Sequence, residues 1–145
     1  IAAKKGAKKV IAIDIDNNSL ENARENVQLH GFEEIIEIRQ SNLFENIKKE
    51  EKFDLIISQL PFADINYENK VGHFLFDADF KLHDSFLRDA KLHLNVEGKI
   101  LIPSGEVANE EKLKELIDKY NYSILKVEEE LFEGLKWKVY FLSSI

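Results

Sequence analysis

Cysteine and methionine are both absent from the 145 residues. Without cysteine there is no disulfide framework and no thiolate metal site, and a reducing compartment is sufficient. With no methionine and Ile1 in first place, the chain reads as a fragment of a longer protein rather than an intact translation product. No stretch provides the ~20 consecutive apolar residues of a membrane span, and the first residues lack a signal-peptide pattern. The expected setting is therefore the cytoplasm. Positive charge is also in deficit, with 20 Lys and Arg against 27 Asp and Glu, a net charge of -7 and a pI near 5.2. A large basic surface for holding nucleic acid is excluded, although a local basic patch is not. Arginine is confined to Arg24, Arg39 and Arg88.

What is present suits one α/β domain over residues 1–145, because a chain of this length with 44% hydrophobic content can enclose one sizeable core. Ile1 to Lys5 reads as the end of a helix closed by Gly6. Lys9 to Asp14 (K-V-I-A-I-D) is a short apolar run of the kind buried on both faces of a parallel sheet. Asn18 to His30 places Leu20, Ala23, Val27 and His30 on one helical face, with Asp16 or Asn17 to cap it and Gly31 to end it. Strands are predicted at Ile35 to Arg39, Phe53 to Ser58 and Lys99 to Pro103. Helices are predicted at about Leu82 to Leu94, with Phe86, Leu87, Ala90 and Leu94 inward, and about Asn109 to Tyr120. Two last strands, near Tyr122 to Glu128 and Trp137 to Ser143, flank Gly134 and can pair as an antiparallel hairpin. The pattern predicts an open, mostly parallel sheet with one antiparallel strand.

Ligands of such sheets bind at the carboxyl ends of the strands. Here those ends are polar: Asp14 closes the first strand, Ser41 and Asn42 follow the second, and Ser58, Gln59, Leu60, Pro61 and Phe62 follow the third. The series V-I-A-I-D-I-D, E-N-A-R-E-N, R-Q-S-N-L-F and F-D-L-I-I-S-Q-L-P-F resembles the class I methyltransferases, α/β enzymes with a Rossmann-like sheet that use S-adenosylmethionine. Within them it is most similar to the small-domain group that methylates amino nitrogens through an Asn/Asp-Pro-Pro-aromatic motif.

The resemblance implies roles for particular residues. Asp14 would accept hydrogen bonds from both ribose hydroxyls of the cofactor, and Ile15 would pack on the adenine face. Asn42 would take the adenine amino group through its amide oxygen, where the family usually has Asp, and Leu43 would flank the ring and offer its backbone amide. Gln59 stands at the Asn/Asp position of the transfer motif, Leu60 at the first proline, Pro61 at the second and Phe62 at the aromatic. In the family a side-chain amide oxygen and a backbone carbonyl orient the target amino group toward the methyl while the aromatic stacks on it. Gln59 is one methylene longer than Asn, and Leu60 leaves the loop less rigid than a Pro-Pro pair.

Other residues are read more plainly. Asp16 suits a helix cap. His73, Phe74, Asp77 and Asp79 precede the next helix, where the class places substrate contacts, and solvated loop residues are the simpler reading. His30, His83 and His93 receive no role, Trp137 is taken as core, no metal site is expected, and Glu45 to Lys52 reads as a solvated loop. None of the six glycines (6, 31, 72, 98, 105, 134) forms the G-x-G-x-G-like turn that cradles the cofactor's methionine moiety. The class's first strand and that loop would fall before residue 1, leaving a gap in the usual strand order, and the 145-residue chain alone is expected to bind cofactor weakly or not at all. The resemblance implies a nucleic acid or protein substrate, methylated at a nitrogen of RNA, DNA or a protein glutamine. The departures at Gln59 and Leu60 keep open a small-molecule or oxygen methyltransferase, and a degenerate, non-catalytic binding module is the reading from another class.

Overall fold

The computed structural model describes residues 1–61, 63 and 76–145. The chain divides into two compact units, Ile1–Lys48 and Lys49–Ile145.

The first unit opens with a 3-10 turn at Ala3–Lys5, closed by Gly6 in the left-handed region at φ 93°. Strand β1 (Val10–Asp14) then leads into helix α1 (Asn17–Leu29) and strand β2 (Ile36–Gln40). Asp16 is the cap expected: its Oδ2 accepts the Ser19 amide at 2.8 Å. β1 and β2 pair in parallel from Val10↔Ile36 to Asp14↔Gln40. Leu20 is the one fully buried side chain of α1, with Ala23 and Val27 half-buried beside it. His30 departs from the expected face: it lies at the helix's C-cap, exposed. β1 is also not buried on both faces. Val10 to Ala12 are half-buried and Ile13 and Asp14 exposed, because among the described residues β1 pairs only with β2, in a two-stranded sheet covered by α1.

Among the described residues, the second unit is a four-stranded sheet in the order β3-β4-β6-β5 with two α-helices. The strands are β3 (Phe53–Ile57), β4 (Leu94–Gly105), β5 (Tyr122–Phe132) and β6 (Leu135–Ser144). β3 and β4 are parallel, and β6 runs antiparallel to both β4 and β5. β3, β4 and β5 therefore share one direction, as the mostly parallel sheet with a terminal hairpin requires. Gly134, at φ 80°, makes the turn between β5 and β6.

Helix α2 (Lys81–Ala90) precedes β4, and helix α3 (Glu110–Lys119) follows it, capped by Asn109 Oδ1 on the Lys112 amide. Phe86, Leu87 and Ala90 of α2 and Leu113, Leu116 and Ile117 of α3 repeat at three- and four-residue steps, and all are buried. Ile100, Ile102, Tyr140 and Leu142, at alternate positions of β4 and β6, are buried as well. Each of the buried Phe, Leu and Ile side chains contributes about 1.5–3 kcal/mol by leaving water. Lys119 and Tyr120 both bond Asp84 Oδ1, at 2.6 and 3.0 Å, joining the end of α3 to α2.

Two expectations are corrected here. Helix α2 ends at Ala90, a 3-10 turn covers Lys91–His93, and Leu94 already belongs to β4. β4 can start so early because residues 95–98 bulge against Asp54: Phe53 pairs with Leu94 but Leu55 with Lys99. Trp137 is 37% exposed rather than core, since it lies where β4 stops at Gly105 and the hairpin runs on.

Candidate active site

In the first unit the carboxyl ends of β1 and β2 bring together the four residues assigned to the cofactor. The Ser41 amide bonds Asp14 O at 3.0 Å, and Gln40 Nε2 bonds Ile15 O at 3.1 Å, so the two strand ends are tied. Asp14 is exposed; its Oδ1 accepts the Asp16 amide at 2.9 Å, which fixes the carboxylate plane and leaves Oδ2 for another donor. Ile15 is 59% exposed, an apolar side chain facing solvent beside that carboxylate. Asn42 donates its Nδ2 to Glu45 Oε1 at 2.8 Å, so its Oδ1 is an acceptor by default. Leu43 is half-buried with φ 48°, and its carbonyl accepts the buried Ser41 hydroxyl at 2.8 Å. That hydroxyl also takes the Asn46 amide at 3.0 Å, and Asn46 Nδ2 bonds Gln40 O, so the turn after β2 is a hydrogen-bonded frame rather than a loose loop.

A carboxylate, an apolar side chain and an amide oxygen at adjacent strand ends match a ribose diol, an adenine face and an amino group in that order. The donor set therefore fits the adenosine half of S-adenosylmethionine. A groove of about 370 Å³, lined by Arg24, Val27, Gln28, Glu33, Ile36 and Ile38, lies on the flank of α1 and β2, not at these strand ends.

In the second unit Ser58 is buried after β3, with both its amide and its hydroxyl on Leu101 O, at 3.1 and 3.3 Å. This pins the strand end. Gln59 then stands exposed, and Leu60 and Pro61 are half-buried. Phe62, His73 and Phe74 lie outside the described residues. Ala63 is buried and bridges both Phe76 and Ala108, so the chain is caught again two residues past Pro61.

Asp77 is the main correction to the sequence reading of this region. It is no solvated loop residue but 3% exposed, and it binds the histidine given no role, His83, which is 1% exposed. Three N–H groups converge on the carboxylate: Leu82 N on Oδ1 at 2.9 Å, His83 N on Oδ2 at 3.0 Å and His83 Nδ1 on Oδ2 at 2.7 Å. The Asp77 amide in turn bonds Ala63 O at 2.9 Å. Burial works against the charge of Asp77, but the bond from His83, the two backbone amides and the attraction of the imidazole together hold its carboxyl below the usual range. With Nδ1 on the carboxylate, His83 Nε2 is the remaining ring nitrogen; it is buried, the Phe80 ring packs on the imidazole with centroids 4.6 Å apart, and Nε2 has no partner among the described residues. Ser104 Oγ, near the carboxyl end of β4, is a second buried group without one. Asp79 is exposed, near Lys81. Sequence reasoning missed Asp77, His83 and Ser104. The signal available was an Asp just ahead of a helix, placed to cap its first turn.

Comparison with known proteins agrees with this fold. Residues 1–142 match the methyltransferase domain family, and the chain belongs to it. Among curated relatives, it is 30% identical over 133 residues to a bifunctional methyltransferase of Rickettsia typhi, covering 84% of this chain and 25% of that protein. It is 31% identical to a Methanocaldococcus jannaschii protein provisionally named a protein N5-glutamine methyltransferase, covering 87% and 64%. It is 29% identical to the ribosomal protein L11 methyltransferase of Lactobacillus johnsonii, covering 92% and 36%. The chain thus spans between a quarter and just under two thirds of the length of these relatives. Among solved structures, the B. subtilis m1A22 tRNA methyltransferase TrmK superposes with a TM-score of 0.73 at 18% identity over 99% of this chain and 53% of its own. A Streptococcus pneumoniae relative of that enzyme, solved with S-adenosyl-L-methionine, gives 0.73 at 14%, covering 99% and 58%. At these identities they establish the Rossmann-like methyltransferase fold. The cofactor of the class is S-adenosylmethionine. No helix among the described residues is long and apolar enough to cross a membrane.

Proposed function

We propose that the protein is an S-adenosylmethionine-dependent methyltransferase acting in the cytoplasm on a nitrogen of a macromolecule, with residues 1–145 belonging to a single methyltransferase domain. The observation that carries this reading is the convergence of Asp14, Ile15, Asn42 and Leu43 at two tied strand ends, in a chain that belongs to the methyltransferase domain family. Asp14 Oδ2 would grip the ribose diol, Ile15 and Leu43 would enclose the adenine, and Asn42 Oδ1 would accept its amino group. When bound, the cofactor supplies an activated methyl on a sulfonium. By the family resemblance the chain would contribute orientation: Gln59 Oε1 would accept a hydrogen of the target nitrogen, and Phe62, which lies outside the described residues, would stack on the target group. Ser58, locked on Leu101, sets where Gln59 begins. Of the three acceptor classes, RNA, DNA and protein glutamine, the net charge of -7 favours protein.

The test is transfer of labelled methyl to glutamine-containing protein and to RNA. Gln59→Ala and Phe62→Ala are each expected to abolish transfer while cofactor affinity changes little. Wild-type protein that binds cofactor but transfers to neither acceptor would favour the small-molecule or oxygen methyltransferase. Protein that does not bind it would favour the non-catalytic module.

A further inference from the structure

The terminal hairpin is larger than a sheet edge needs. From Ile124 to Phe132 every residue of β5 is exposed, among them Leu125, Val127, Leu131 (72%) and Phe132 (60%). Leu135 and Trp137 of β6 are exposed too. β4 stops pairing at Gly105↔Trp137, whereas the hairpin continues to Phe132↔Leu135, so its tip overhangs the sheet. Glu106 meets the overhang from below, through the Lys136 amide at 3.2 Å. Because β3, β4 and β5 run the same way, the overhang projects from the same edge of the sheet as Gln59 to Pro61. By ordinary strand spacing it lies about 14 Å across from them.

This surface has two marks of a docking edge and one that selects the guest. β5 is the outer strand of its sheet, so one side of its backbone has no ladder partner among the described residues. Cross-strand pairs place Phe132, Leu135 and Trp137 on one face together with Glu128 and Glu130. The selecting feature is the run Glu128, Glu129, Glu130, followed by Glu133 at the turn. Lys126 engages Glu128, and Lys138 engages Glu129 at 3.3 Å, but Glu130 and Glu133 have no cationic partner among the described residues. A second copy adding antiparallel to this edge, centred on the run, would set glutamates against glutamates, which is unfavourable. A nucleic acid would meet the same charge.

We propose that the β5 edge and hairpin tip dock an extended, basic, apolar-bearing segment of a protein substrate, which pairs with β5 and lays cationic side chains on Glu128 and Glu130. The inference rests on the reading that the acceptor is a protein, and extends it to what that protein must present. Main-chain bonds along β5 would supply affinity and the glutamates specificity.

Trp137, the single tryptophan, faces Glu130 across the hairpin and reports docking without any turnover. The experiment titrates the protein with a synthetic peptide alternating lysine and valine and with a counterpart alternating glutamate and valine, following Trp137 emission. Saturable binding of the lysine peptide is expected, weakening with salt, with no response to the glutamate peptide. The double variant Glu128→Lys/Glu130→Lys, checked for an unchanged circular dichroism spectrum, is expected to lose about tenfold or more in affinity for the lysine peptide. Equal response to both peptides, no response, unchanged binding by the variant, saturable binding of an oligonucleotide instead, or a dimer in sedimentation that buries β5 would each overturn the proposal. Cofactor binding measured on the same samples separates failure of docking from failure of the methyltransferase reading.

Discussion

Replacing Asp77 by Asn changes almost no volume and removes one acceptor from a buried cluster. Three N–H groups share two carboxylate oxygens. An amide keeps a single oxygen: placed at the Oδ2 position it serves both His83 donors but turns an NH2 toward the Leu82 amide, and the reverse placement orphans two donors. Leaving one buried donor unpaired costs about 1–3 kcal/mol. With a urea m-value of roughly 1–3 kcal/mol/M, the midpoint should fall by about 1 M. The assay is equilibrium unfolding followed by Trp137 emission, which lies in the same unit. The loss also depends on pH. The carboxyl of Asp77 is held below its ordinary value, so its contribution is present above the unfolded value near ~3.9 and disappears as pH falls through the folded one. The gap between wild type and variant is thus full at neutral pH and shrinks below about pH 4. A midpoint at neutral pH within the equivalent of about 0.5 kcal/mol of wild type would refute the argument that this pair anchors the start of α2.

Three further outcomes follow from the same geometry. Asp16→Ala removes the cap of α1 and should lower the stability of the first unit by about 1 kcal/mol, read as amide exchange in residues 17–20. Gly98→Ala would place a Cβ 2.8 Å from Phe53 O and 3.0 Å from Asn95 O, backbone atoms that cannot yield cheaply, so a loss of about 1–3 kcal/mol is expected in thermal unfolding. Gln59→Asn shortens the side chain by one methylene at an exposed position and should leave stability unchanged while altering kcat for methyl transfer more than KM.

Much of this architecture was legible because its signals are local. The helix cap at Asp16, the helical spacing of Leu113, Leu116 and Ile117, and Gly134 between two apolar runs each state their own structure. What sequence could not supply was pairing and burial that depend on distant partners. The K-V-I-A-I-D run has the composition of a buried strand, yet β1 is half-exposed because among the described residues only β2 pairs with it. Trp137 looks like core, yet β4 ends opposite it. Asp77 and His83 look like two unrelated polar residues, and only the turn into α2 brings the imidazole onto the carboxylate. The proposed site residues were read through order and resemblance, not through chemistry. Asp14 and Asn42 are unremarkable singly, and it is the parallel register that sets Asp14 beside Gln40 and ties Ile15 to it.

The central claim is that Asp14 and its neighbours hold S-adenosylmethionine. The most direct measurement is calorimetric titration of the full-length protein carrying this chain with the cofactor, beside its Asp14→Ala variant. Losing one or two charge-assisted bonds, at about 1.5–3 kcal/mol each, should weaken binding by about tenfold to several hundredfold or more without unfolding the protein. Equal affinity in the two proteins, or no binding by the wild type, would contradict the account.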